Sequence, residues 1–181
     1  MALPAAALLY VAITALLFRN LLPGITTHLY SDLGDPLLNT AILAWNAAYL
    51  PLSAGWWNFP SFAPLSGVTS FTEHLLLTYP IAAPIVWITG NPVLAHNITF
   101  LAAMPLNGVA AFALARELLG DHVRSVRLQP DHVSGAAFIA GLAFAFAPYQ
   151  SVHLSHLQQM TTFGMPFMLL WLHRYLRTGR R

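Results

Sequence analysis

Five apolar stretches, residues 4–22, 74–89, 92–115, 133–148 and 160–176, dominate this sequence. Each approaches the length of helix that crosses ~30 Å of hydrocarbon, at about 1.5 Å of rise per residue. A water-facing fold cannot absorb them. Of 181 residues, 57% are hydrophobic and only 8% are charged, whereas a soluble domain carries about 25% charged residues. The sequence therefore reads as an all-α, polytopic membrane protein. The first stretch lacks the basic n-region and clear small-x-small site of a signal peptide. It reads as a retained helix over residues 4–22, ended by Pro23-Gly24. A net charge of +2 gives no nucleic-acid footprint. The absence of cysteine excludes a disulfide framework, a thiolate site and a Cys-zinc site.

Charge sets the expected topology. All eight basic residues are Arg, and seven fall in two clusters: Arg116, Arg124 and Arg127, then Arg174, Arg177, Arg180 and Arg181. Both clusters should be cytoplasmic. If every stretch crossed, the loop after residue 22, which has no Lys or Arg, would lie on the Arg side. If 74–89 stays on the surface, that loop is external and both termini are cytoplasmic. Pro80 and Pro84 weaken 74–89 as a spanning helix. Only Arg19, at the outer end of the first helix, speaks against this arrangement. The expected organisation is one membrane domain over 1–181: a first transmembrane helix (1–22), an external loop with juxtamembrane helices (23–91), and three further transmembrane helices (92–181). That makes about four spans, in a bacterial inner membrane.

The external segment has its own signals. Asp35-Pro36 predicts a helix start with Asp35 as N-cap, running to about Leu50 before Pro51. "SAGWWNFPSFAPLSG" follows, and Trp56, Trp57, Phe59 and Phe62 are expected at the lipid headgroup level. Ser70 and Glu73 have capping-box spacing for a helix beginning there. Asn91-Pro92 predicts the start of the second spanning helix.

Five of these segments, taken in order, carry a family likeness: "DLGDPLLNTAILAW" (32–45), "EHLL" (73–76), "TGNPVLAHN" (89–97), "FAFAPY" (144–149) and "LSHLQ" (154–158). The chain resembles the C-type glycosyltransferases. These polytopic enzymes take a sugar from a polyprenyl-phosphate carrier, and they include protein mannosyltransferases and the aminoarabinose transferase of lipid A. Family members are much longer, so the resemblance implies the N-terminal portion of such an enzyme. It implies transfer to an acceptor hydroxyl on the outer face, with the lipid-linked sugar and the acceptor as partners.

In such enzymes an external acid acts as general base toward the acceptor hydroxyl. A carboxylate suits that work when held within hydrogen-bond reach. Asp35 is the first candidate, with helix capping as its plain alternative, and Asp32 is the second. Between Arg19 and Arg116 no Lys or Arg is available to neutralise either. Asn39, one turn on, could share the site. Glu73 and His74 would meet carrier phosphate or a divalent cation at the cavity mouth, unless Glu73 only completes the capping box. A divalent cation is the one open cofactor. His153 and His156, spaced for one helical face, read better as polar cavity lining, with Gln158, than as a metal pair. His96, Asn97 and Asn107 suggest inter-helix hydrogen bonds, and Gly135 and Gly141 close helix packing. A transporter subunit would want charges inside its spans, and here only edge arginines qualify. A non-catalytic multi-pass protein is the other alternative.

Overall fold

A computed structural model of the chain describes residues 2–126 and 130–179, with side chains described outside 121–131. The described residues are all-helical, with no strand among them. The helices are α1 (Leu3–Leu17), α2 (Asp35–Ala48), α3 (Tyr79–Thr89), α4 (Pro92–Val126), α5 (Pro130–Ala145), α6 (Pro148–Val152), α7 (Leu157–Met160) and α8 (Gly164–Thr178). Two helical stretches, Pro92–Gly120 and His132–Val152, are long and apolar enough to cross a membrane. Arg127, Arg180 and Arg181 of the basic clusters lie outside the described residues, as does the side chain of Arg124.

Some boundaries differ from expectation for local reasons. α1 stops at Leu17 rather than at residue 22, because Arg19-Asn20 interrupts the apolar run and the chain turns into a 3₁₀ segment at Leu22–Gly24. α4 runs past residue 115, since "RELL" continues with good helix formers. Its start is as expected: Pro92 opens the helix and Asn91 Oδ1 accepts the Leu94 N–H at 2.9 Å. The Ser70–Glu73 capping box does not form. Residues Val68–Phe71 and Leu76–Thr78 are 3₁₀ turns, and the helix begins only at Tyr79. At eleven residues α3 spans about 17 Å, short of the ~30 Å of a hydrocarbon core.

The chain packs as two compact units. The first comprises Met1–Phe18, Leu101–Val152 and Met160–Arg181. Tyr10, fully buried, packs in a cluster with Ala6, Phe112 and Ala137. Its hydroxyl donates to Phe138 O at 3.0 Å and its ring stacks on Phe138. Gly141 is where Tyr10 fits: a Cβ there would collide with the tyrosine hydroxyl and stand 2.7 Å from Gly108 O. Gly108 itself lies against the Tyr10 ring. Gly135 has open space around it, so only Gly141 of the two expected glycines makes a close approach. Asn107 Nδ2 donates to Met160 O at 2.8 Å. Glu117 holds Arg174 at 2.8 Å, with Arg177 at 3.9 Å.

The second unit comprises Arg19–Phe100 and His153–Gln159. α2 packs on α3, and the aromatic loop folds back onto α2. Trp56 is 1% exposed, and its Nε1 donates to Asn46 Oδ1 at 2.6 Å. Asn46 Nδ2 donates to His74 O at 2.8 Å, and Trp45 Nε1 to Trp56 O at 2.8 Å. Phe59 is buried too, so Trp56 and Phe59 are core side chains of this unit rather than headgroup anchors. Phe62 does lie exposed. Asn97 is buried in α4 and donates to Ile25 O and His28 O, both at 2.7 Å. It therefore serves loop carbonyls instead of a neighbouring helix. His96 stacks on Phe100.

Candidate functional site

The acidic stretch begins with a bent backbone. Ser31 has φ +77°, a left-handed conformation that L-residues other than Asn and Asp seldom adopt. The bend presents Asp32, whose Oδ1 accepts the Gly34 N–H at 2.7 Å. This Asx turn leads into α2, whose N-cap residue is Gly34. Asp35 is thus the first helical residue and not the cap, and its side chain makes no capping bond. That corrects the expectation from Asp35-Pro36. Proline excludes only its own N–H, and the cap moved one residue upstream, where Asp32 folds the chain.

Released from capping, Asp35 faces elsewhere. Its Oδ2 lies 2.5 Å from His156 Nδ1. The two side chains keep 46% and 36% of their surface, so small polar groups can reach them. Asp32 is partnered differently. Its Oδ2 accepts from Ser155 Oγ at 2.5 Å and more weakly from Ser31 Oγ at 3.4 Å. Hydrogen bonding from Ser155 first, and then from Gly34, holds the Asp32 carboxyl below the usual carboxylate range. Asn39, 1% exposed, donates through Nδ2 to Ser155 O at 3.3 Å. Glu73 Oε1 accepts from Gln158 Nε2 at 3.1 Å.

Each carboxylate of the second unit therefore meets a residue of one short segment, 153–159. The segment is a turn with α7 after it, so His153 and His156 are not on one helical face as their spacing suggested. The His156 N–H donates to His153 O at 2.9 Å, and the two rings tilt against each other at 5.8 Å between centroids. Asp32, Asp35, Asn39, His153 and His156 come together in this way, and Glu73 with Gln158 forms a second pairing on the same segment. His74 does not join them. Its ring stacks on Trp56 at 5.4 Å and meets Trp57 edge-on, while its carbonyl is held by Asn46.

Sequence reasoning missed Ser31 and Ser155. Neither residue type signals a site alone; only the positive φ and the long-range hydrogen bonds mark them. No group of three or more His, Cys, Asp or Glu among the described residues is arranged to hold a metal ion.

Comparison of the chain with protein-family models, with characterised proteins and with solved structures found no match.

Proposed function

We propose that this chain is a C-type membrane glycosyltransferase, or the N-terminal portion of one. It would move a sugar from a polyprenyl-phosphate carrier to an acceptor hydroxyl on the outer face. The observation that carries this reading is a convergence: residues from three of the stretches that resemble the family, 32–45, 73–76 and 154–158, pair as Asp35 with His156, Asp32 with Ser155 and Glu73 with Gln158. These stretches are remote in sequence, and all three pairings bring polar groups to carboxylates with no Lys or Arg among them.

Asp35 is the base and Asp32 organises the turn. The oxygens of Asp32 are filled by backbone and hydroxyl donors, which lowers its basicity. Asp35 has one oxygen on His156 and the other available to a hydroxyl. In the reaction, the acceptor O–H gives its proton to Asp35. The oxygen's electron pair forms the bond to the anomeric carbon, and the bond from that carbon to the carrier's phosphate oxygen breaks toward the phosphate. Glu73 and Gln158 border the site on the donor side.

The accompanying topology has about four spans. α4 and the α5–α6 run cross, α1 and α8 complete the set, and residues 23–91 lie outside, with both termini cytoplasmic. Outward-facing apolar residues support lipid contact for the two shorter helices: Leu8, Leu16 and Leu17 on α1, Met168, Trp171 and Leu176 on α8. The Glu117–Arg174 pair then lies toward the cytoplasmic ends of its helices.

The test is reconstitution of the chain in proteoliposomes with a radiolabelled polyprenyl-phosphate sugar and a membrane extract as the source of acceptor hydroxyls. Consumption of the carrier-linked sugar that depends on Asp35 is the expected result. A folded chain that leaves the carrier sugar untouched would point to the non-catalytic multi-pass alternative.

A further inference from the structure

The turn that carries His156 is fixed on several sides. The His156 N–H donates to His153 O, and its carbonyl accepts the Gln159 N–H, both at 2.9 Å. The residue before it, Ser155, is tied to Asp32 by its hydroxyl and to Asn39 by its carbonyl. The residue after it, Leu157, is 1% exposed, so the turn is held by burial as well. A side chain on so constrained a backbone has little further freedom to lose in holding one partner. That partner is Asp35, whose own backbone is set by the first turn of α2.

We propose that His156 is the positioning residue of the Asp35 base: its Nδ1–H donates to Oδ2, fixes the rotation of the carboxylate and leaves Oδ1 as the atom that takes the acceptor's proton. Which nitrogen of a neutral imidazole carries the hydrogen is set by the partner the ring meets, and a carboxylate can only accept. The groups facing His156 are Asp35 from α2 and His153 from its own turn; Asp32 is linked through Ser155 and Glu73 through Gln158. None of these competes for Nδ1 at the distance Asp35 holds. The advantage is geometric. A carboxylate turning freely about its last bond offers either oxygen in many directions, whereas a pinned one offers a single oxygen to a hydroxyl.

The catalytic part of this inference rests on the glycosyl-transfer reading; the pairing does not, and the two are tested separately. The pairing is read by nitrogen NMR of the ¹⁵N-histidine-labelled full chain in nanodiscs at about pH 8. The His156 signal is identified by its loss in His156→Asn. The expected result is a protonated Nδ1 in the wild type that gives way to a protonated Nε2 in Asp35→Ala. An unprotonated Nδ1 in the wild type overturns the proposal. The positioning role is read by rates. His156→Gln, whose amide nitrogen stands where Nε2 was, should lower kcat about 10²-fold, the cost of misplacing a reacting group by about an ångström. KM for the carrier sugar should change little. His156→Asn puts an amide N–H near the position of Nδ1 and should recover most of that loss. Full activity in His156→Gln, or equal loss in both variants, overturns the positioning role while transfer itself stands. A wild type that shows the Nδ1–H form but transfers no sugar instead overturns the glycosyl-transfer reading and leaves the pairing intact.

Discussion

Asp32 and Asp35 stand three positions apart in one turn of chain, yet their surroundings separate their roles. Asp32 accepts a backbone N–H and two hydroxyls, while Asp35 meets one imidazole. Asp35→Asn keeps an oxygen for the His156 N–H and removes the basic one. Transfer should fall by on the order of 10²–10⁴-fold, the usual range for a general base, with membrane insertion unchanged. Asp32→Asn should cost less, since the Gly34 contact can survive on an amide oxygen. A transfer assay on both variants checks this; equal losses would mean that Asp32 shares the base role. The pH dependence of Asp32 has a definite sign. Its carboxyl is held below the usual range in the fold, so the folded state favours the ionised form. That stabilisation is present above the unfolded value of about 3.9 and is lost as pH falls through the lower folded value. Thermal unfolding of the wild type and Asp32→Asn should therefore differ by a constant amount above about pH 4 and converge below it. The two carboxylates looked unneutralised in the sequence for lack of a nearby Arg. Their partners turned out to be Ser155 and His156, and no local pattern announces a contact between residues 123 positions apart.

At the scale of elements, start signals that use the residue's own side chain were readable where nothing competed for it. Asn91 caps α4 because its amide oxygen has only the Leu94 N–H to serve, while its Nδ2 goes to Thr26 O. Asp35 and Glu73 carried equally good capping spacing, but His156 and Gln158 took their carboxylates. The capping assignment failed at the residues that form the candidate site. Packing of small residues was half readable. Gly141 sits under the Tyr10 hydroxyl and Gly135 in open space, a difference that depends on which face of α5 meets α1. Gly141→Ala should destabilise the chain by about 1–3 kcal/mol, because Tyr10 cannot yield without leaving Phe138 O. Gly135→Ala meets nothing and should be neutral or gain up to ~1 kcal/mol from helix propensity. Thermal unfolding of both variants in detergent decides it, and a neutral Gly141→Ala would mean that Tyr10 is free to move.

For the whole molecule, composition and run lengths gave the all-helical class and two stretches long and apolar enough to cross a membrane, because such a run is a property of the local sequence alone. Sidedness is a different matter, since it depends on charges counted over the entire chain, and it is open to direct measurement. The Arg-free segment 23–91 is expected outside, with α3 lying along the surface because it reaches only about 17 Å. Two positions report on it without disturbing a cap or a core contact. Ser66 is exposed in the aromatic loop and Ile88 is 84% exposed near the end of α3. Single cysteines at both should react with a membrane-impermeant maleimide in intact cells, and a cysteine at Arg177, in the last turn of α8, should not. Labelling of Ser66 alone, with Ile88 reacting only after permeabilisation, would mean that α3 and its preceding turns cross. Both Arg clusters would then lie on the outer side, together with the loop. Reaction at Arg177 from outside while Ile88 also labels from outside would break only the cytoplasmic assignment of the C-terminal cluster. Brominated lipids give an independent reading, because Trp171 is 59% exposed on α8 whereas Trp56 is enclosed by its own loop. In single-tryptophan variants Trp171 should be quenched strongly and Trp56 weakly. The reverse order would place the aromatic loop in the bilayer and α8 out of it, and the four-span arrangement would fall.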